Sequence, residues 1–223
     1  IEGIDFLFEA IESDDVVVTP PLRPFQEEKM TLALYRHHLL GDFWRENVSK
    51  KSRRYLDRLI PESWILDPVA LPPTAVIDGP IIGGKLMNSW NELADASQKE
   101  RNIILKISGF HESAWGARSV LLGSDSSKEE WKEGIEKAIS ISDRNLHIVQ
   151  EYRKPTRVKH RIYRSTGEIT EAEGRLRLCP YYFVKGGEVH FAGGLATFCP
   201  PDKKIIHGMQ DAALIPCRVT ENQ

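Results

Sequence analysis

Apolar positions recur at helical spacing in the first quarter of the chain and alternate or run continuously, as in strands, in the second half. Residues 26–40 (QEEKMTLALYRHHLL) predict an amphipathic helix, with Met30, Leu32, Ala33, Leu34 and Leu39 inward. Glu27 and Glu28 sit near its start, where the helix dipole favours anions, and Pro24 marks the entry. Ahead of it, Val16, Val17 and Val18 are β-branched and stopped by Pro20 and Pro21, which predicts a short buried strand. A second helix is expected over 45–59, basic on its exposed side as a solvated face is. The Pro- and Gly-rich stretch 67–84 reads as a connector between lobes.

Past a short helix at 90–99, residues 102–107 (NIILKI) read as a buried strand interrupted by Lys106. The loop 108–119 (SGFHESAWGARS) follows, then a short strand at 120–122. A helix is expected over 127–139, with Ser127 as cap and Glu130 completing a capping box. Its buried stripe runs through Trp131, Ile135 and Ala138 or Ile139. Residues 146–152 (LHIVQEY) form the next strand. Strands at 158–163, 176–184, 188–191 and 196–199 then alternate like an antiparallel sheet, with Gly186-Gly187 as a hairpin turn.

Composition narrows the partners. Hydrophobic residues make up 41% and charged residues 28% of the 223, an ordinary globular balance. The formal net charge of -2 argues against a nucleic-acid partner, and no stretch approaches a membrane span. Cys179, Cys199 and Cys217 are too far apart for a CxxC pair and suit a reducing compartment as buried apolar side chains. No signal peptide is recognisable, so a cytoplasmic location is expected. A start on Ile1, not Met, is compatible with a piece of a longer polypeptide.

The order strand, glycine loop, strand, helix, strand suits nucleotide binding. A lysine among apolar strand neighbours needs an anion or a route to solvent, and a phosphate oxygen supplies the first. The loop offers Gly109 and Gly116 for close approach, hydroxyls at Ser108, Ser113 and Ser119, and the guanidinium of Arg118. On composition alone, a snorkelling Lys106 above an ordinary hairpin loop is the better account, because two glycines seven apart are weak evidence; the strand end at residues 150–152 tips the balance. A strand ending at Gln150, Glu151 and Tyr152 can present backbone edges to a purine, with Ile148 packing on its face.

The run ILKISGFHESAWGARSVLLGSDSSKEEW followed by HIVQEY closely resembles the circularly permuted ATP-grasp family, the group of glutathionylspermidine-synthase-like enzymes. The family's strand lysine corresponds to Lys106, its phosphate loop to the stretch through Gly116 and Ala117 to Val120. Its acidic-Trp helix start corresponds to Glu130-Trp131, and its hinge to Val149–Tyr152. Upstream, FQEEKMTLALYRHH is similar to the family's E-K-x-x-x-A-L segment and LIPESWILDP to a P-x-S/T-W stretch. Downstream, LCPYYFV and GGLATFC are similar to its closing strands.

The resemblance implies an α+β ATP-grasp fold, two lobes with antiparallel sheets gripping ATP. As one domain over 1–223, it implies a helix-rich part with connector at 1–84, a small lobe at 101–149 and a larger lobe at 150–223. Lys106, Ser108, Gly109, Ser113, Gly116, Ala117, Arg118 and Ser119 would hold phosphates; Gln150, Glu151 and Tyr152 would meet adenine. The implied reaction joins a carboxylate to an amine through an acyl phosphate, with ATP and normally Mg²⁺. Arg118, Arg175 and Arg177 are the candidate catalytic residues, forks for phosphate or an anionic substrate; a solvated strand face is the alternative for the latter two, as for Arg161 and Arg164.

Departures from the family concern the metal. The strand that should carry a metal-binding acid reads Arg175-Leu176-Arg177-Leu178-Cys179, and the metal asparagine's place falls on His207. Neither Arg nor Leu binds Mg²⁺, although Asp202 and Asp211 stand nearby. As a second cleft lysine, Lys85 after Gly83-Gly84 is preferred to Lys29. A nucleotide-binding regulatory or assembly domain without catalysis, and kinase-like phosphoryl transfer, are the alternative functions. The acceptor and the oligomeric state are not legible.

Overall fold

The structure, a computed structural model, describes residues 4–18, 25, 28–109, 111–114, 118–206, 211–218 and 220. It is a mixed α+β protein with two antiparallel four-stranded sheets. The chain divides into two compact units, one from Ile1–Gln26 with Pro155–Gln223 and one from Glu27–Lys154. No helix among the described residues is long and apolar enough to cross a membrane.

The Glu27–Lys154 unit begins with three short helices, α2 (Met30–Arg36), α3 (Gly41–Asn47) and α4 (Lys50–Leu59). The single helix expected over 26–40 is cut short because His37 adopts extended angles, φ -67° and ψ 124°, and a 3₁₀ turn His38–Leu40 follows. The helix expected over 45–59 is likewise two: Val48 is extended, and Ser49 restarts the helix by accepting the Ser52 N–H. Arg36 ties the group together, donating to the carbonyls of Asp57 and Ile60 and pairing with Glu62 at 3.2 Å.

The sheet of this unit runs β1 (Ser63–Leu66), β4 (His147–Glu151), β2 (Ile103–Ile107), β3 (Leu121–Leu122), with every neighbouring pair antiparallel. Strand alternation sorts its residues between two faces. Leu66, Ile103, Leu105 and Val149 point one way, into a core completed by Trp131, Ile135 and Ala138 of α5 (Lys128–Ser140). Trp90 and Leu93 of the 3₁₀ segment Trp90–Asp95 join it, and Trp131 Nε1 donates to Leu93 O at 2.7 Å. Each fully buried large side chain contributes about 1.5–3 kcal/mol relative to exposure. The capping box expected at Ser127 and Glu130 forms, with both bonds present.

Register puts Ser63 opposite Gln150, Ile104 opposite Gln150, and Lys106 opposite Ile148, so these five share the other face. The Pro- and Gly-rich stretch 67–84 falls within this same unit, and Ile77 and Met87 pack into its core.

The other unit holds α1 (Asp5–Glu12) and a sheet ordered β5 (Arg157–Tyr163), β6 (Ile169–Lys185), β7 (Glu188–Cys199), β8 (Ala213–Pro216). Val16–Val18 form no strand: Val17 is 90% exposed, and β-branched residues without a partner strand gain nothing from propensity. β6 and β7 make one long hairpin, longer than the segments expected at 176–184, 188–191 and 196–199. Its turn residues Gly186 and Gly187 take φ +60° and +81°, as a type I′ turn requires. Ala192 is the extra residue of a bulge, since Tyr181 pairs with Gly193 and Tyr182 with Phe191. At the base of the hairpin Ala196, Thr197, Phe198 and Cys199 are buried, whereas Tyr182, Phe183, Val184 and Val189 near the tip are exposed. Of the three cysteines only Cys199 is buried; Cys179 is half-buried and Cys217 exposed.

Candidate anion-binding site

Lys106 enters the Glu27–Lys154 unit on the sheet face that does not meet α5. Its Nζ donates to Gln150 Oε1 at 2.7 Å, Gln150 Nε2 donates to Ser63 Oγ at 2.8 Å, and Ser63 Oγ donates to Pro61 O at 2.9 Å. This directed chain fixes the Gln150 amide orientation, since an ammonium can only donate. No carboxylate pairs with Lys106 among the described residues.

A second ammonium stands beside it. Lys29, one residue ahead of α2, donates to Ala114 O at 2.6 Å. Burial, and then repulsion from Lys29, hold the Lys106 ammonium below its ordinary value. Of the two cations, Lys106 is tied only to a neutral amide, while Lys29 also has the Glu28 carboxylate nearby. Lys85, the preferred second lysine in the sequence, is instead exposed in a bridge to Ile82.

The glycine loop starts at the end of β2. Ser108 N donates to Leu146 O at 2.8 Å, anchoring it to the approach of β4. Gly109 has φ +88°, a conformation that side chains disfavour. Glu28 sits against both residues: its Oε1 accepts from Ser108 Oγ, from Gly109 N at 2.8 Å and from Met30 N at 3.2 Å. Burial pushes the Glu28 carboxyl up, but these bonds and Lys29 outweigh it and hold the group below the usual carboxylate value. Glu28, Met30, Ser108, Gly109 and His111 line an open cleft of about 670 Å³. His111 Nδ1 lies 2.6 Å from Ser113 Oγ. His147, buried nearby in β4, has its pKa lowered by burial, against the raising effect of the Asn145 carbonyl.

The remaining expected residues are distributed as follows. Arg118 is exposed in a turn with Ser119 half-buried, while Gly116 and Ala117 lie outside the described residues. Gln150 is 5% exposed and committed to Lys106 and Ser63. Glu151 N donates to Glu62 O and Tyr152 N to Asn102 O, so the two amides expected to face a purine are engaged within the sheet. Arg175 and Arg177 belong to β6 of the other unit. Arg175 is buried, with Nε donating to Pro201 O at 2.7 Å and a terminal nitrogen to Pro155 O at 2.5 Å; those bonds hold the chain on either side of the sheet. Arg177 is exposed.

Glu28 and Ser63 had no assigned place in the site, and Lys29 was ranked behind Lys85 as the second cleft lysine. The signal for Glu28 and Lys29 lay in the E-K-x-x-x-A-L segment, where Glu28-Lys29 is the E-K pair. Asp202 and Asp211 join no group of three metal-ligating side chains among the described residues, and His207 lies outside them. The group of three that does occur is His37, His38 and Asp78. Compared with protein-family models, with curated proteins and with solved structures, the chain gives no significant match.

Proposed function

We propose that the Lys29–Lys106 site holds the phosphates of ATP, in a nucleotide-binding protein of ATP-grasp type. The observation that carries this reading is the paired ammoniums: Lys106 lies partly buried beside Lys29, with no carboxylate paired to it among the described residues. Bringing a polyanion there would relieve their repulsion and replace lost solvation. The loop from Ser108 adds backbone and hydroxyl donors, and Arg118 a guanidinium. Glu28, which takes the Ser108 and Gly109 donors, stands in for a phosphate oxygen; nucleotide entry exchanges one anion for another.

The reaction class rests on the resemblance of the Lys106–Tyr152 stretch. In a carboxylate–amine ligase the γ-phosphoryl group passes to a carboxylate oxygen, leaving ADP and an acyl phosphate. The amine then attacks the acyl carbon, phosphate departs, and the nitrogen loses a proton. This chain's lysines would bind and neutralise the phosphates during that transfer. Mg²⁺ at a nucleotide is held by one or two carboxylates together with the phosphates, and the positions where the resemblance expects those ligands read Arg175 to Cys179 and His207. Those departures favour the second reading, a domain that binds nucleotide without forming amides.

Calorimetric titration with ATP, with and without Mg²⁺, tests both. Binding lost in Lys106→Ala and Lys29→Ala supports the site, and no binding to the unaltered chain overturns it. ADP release with pooled amines and carboxylates separates the ligase from the non-catalytic domain.

A further inference from the structure

A different polar group forms where α2 ends. His37 leaves helical geometry at ψ 124°, and His38 opens the following 3₁₀ turn. Consecutive residues inside a helix point about 100° apart, yet here the two imidazoles stack with centroids 5.0 Å apart and 14° between planes. Asp78 approaches from a loop forty residues further on, placing Oδ2 2.9 Å from His38 Nδ1. One ligating atom from each of His37, His38 and Asp78 lies within 4.8 Å of the others. The three line one cavity of about 290 Å³, together with Asp67, Trp64 and Leu71.

We propose that His37, His38 and Asp78 bind a divalent transition metal of the zinc class. Zinc holds nitrogen and oxygen ligands at about 2.0–2.2 Å, which sets neighbouring ligands of a tetrahedron roughly 3.3–3.6 Å apart. The 2.9 Å His38–Asp78 contact opens slightly to meet that spacing, and the 4.8 Å limit closes by little more than 1 Å. Both His38 and Asp78 are exposed, so rotation about their side-chain bonds meets no packed neighbour shell. The Leu39 N–H reaches His37 Nδ1 at 3.3 Å, a long bond that is cheaply surrendered.

Ligation through His38 Nδ1 uses the neutral imidazole with its proton on Nε2, so the ion sits where a proton on Nδ1 would otherwise face Asp78 Oδ2. Two imidazoles and one carboxylate suit Zn²⁺, Ni²⁺ or Cu²⁺, and disfavour Mg²⁺ and Ca²⁺. Three protein ligands leave a fourth position toward the cavity, for water or a small ligand with a donor atom. An exposed histidine–aspartate pair contributes little by itself and gives no reason for the second ring. The site is independent of the nucleotide reading: it shares no residue with Lys29, Lys106 or the loop.

The test is titration of the full chain with Co²⁺, followed by displacement with Zn²⁺. One equivalent of Co²⁺ should develop visible d–d bands without the intense near-ultraviolet band of thiolate ligation, and Zn²⁺ should abolish them. His38→Ala and Asp78→Asn should each weaken binding by at least about tenfold. Both positions are exposed, so the metal-free thermal transition should stay where it is in the unaltered chain. Absence of d–d bands at millimolar Co²⁺, a thiolate band, or affinity unchanged in both variants overturns the assignment.

Discussion

Lys106 donates to Gln150 across 2.7 Å, diagonally between β2 and β4, each one directly opposite an isoleucine (Ile148 and Ile104). Among the described residues no carboxylate pairs with the lysine: a neutral amide orients it and leaves its charge available.

Stability at alkaline pH should register that arrangement. The Lys106 pKa is lowered in the folded chain, so the unfolded chain binds the proton more tightly. Stability then rises as pH climbs from the lowered value toward the ordinary 10.5, and levels off above it. In Lys106→Met the rise should vanish, with stability at pH 7 equal or higher, because an unpaired charge is replaced by an apolar chain of similar length. Urea midpoints for both proteins between neutral pH and pH 10.5 decide this; matching slopes would place the effect elsewhere.

Glu28 should oppose the ligand while supporting the fold. Its pKa is depressed, so its contribution is present above the ordinary 4.5 and fades as pH falls through the lowered value. Glu28→Ala leaves the buried Ser108 hydroxyl and the Gly109 amide without their acceptor, a loss of about 1–3 kcal/mol in chemical denaturation. Glu28→Gln keeps an acceptor and removes the charge, and ATP affinity should rise about fivefold, equivalent to the ~1 kcal/mol of one screened charge. A fall in affinity would mean that Glu28 helps the ligand bind.

Arg175 should behave as a structural residue. Arg175→Met strips donors from the Pro155 and Pro201 carbonyls, at about 1–3 kcal/mol for each one left buried and unpaired. Its Tm should drop by several degrees, whereas the exposed Arg177→Ala should change stability by no more than about 0.5 kcal/mol. Equal melting temperatures for Arg175→Met and the unaltered chain would contradict the clamp.

Ser127→Ala should cost about 1 kcal/mol, the usual worth of an N-cap. The loss should appear in thermal unfolding monitored at the buried Trp131, one turn further along α5.

Elements with their own local signal were legible. Ser127 and Glu130 specify the start of α5, and Gly186-Gly187 specifies the hairpin tip, because cap and turn chemistry act over three or four residues. The break at His37 carries no such mark: nothing in HH interrupts a helix, and tertiary packing decides. The four-residue β1 is too short to show a period, and Gly193-Gly194 reads as an interruption when it is part of a bulged strand. At the site, Lys106 was legible as a polar residue in an apolar run. Lys29 stood only behind Lys85 and Ser63 did not stand out at all, since their nearness to Lys106 is created by the entry to α2 and by strand pairing, at separations of 77 and 43 residues.

The β6–β7 hairpin carries a gradient along its length. At the base Thr197 and Cys199 are sealed, and near the tip Val184 and Val189 face water. Its ladder is broken only by the Ala192 bulge, so backbone bonding is otherwise alike along the hairpin while the shielding above it is not. Amide protons should accordingly exchange with deuterium in order of position, those paired near Lys185 and Glu188 first and those near Arg175 last. The hairpin would open like a zipper from its turn as far as the Ala192 bulge, where one residue is already unpaired, and the sealed base beyond it should resist longest.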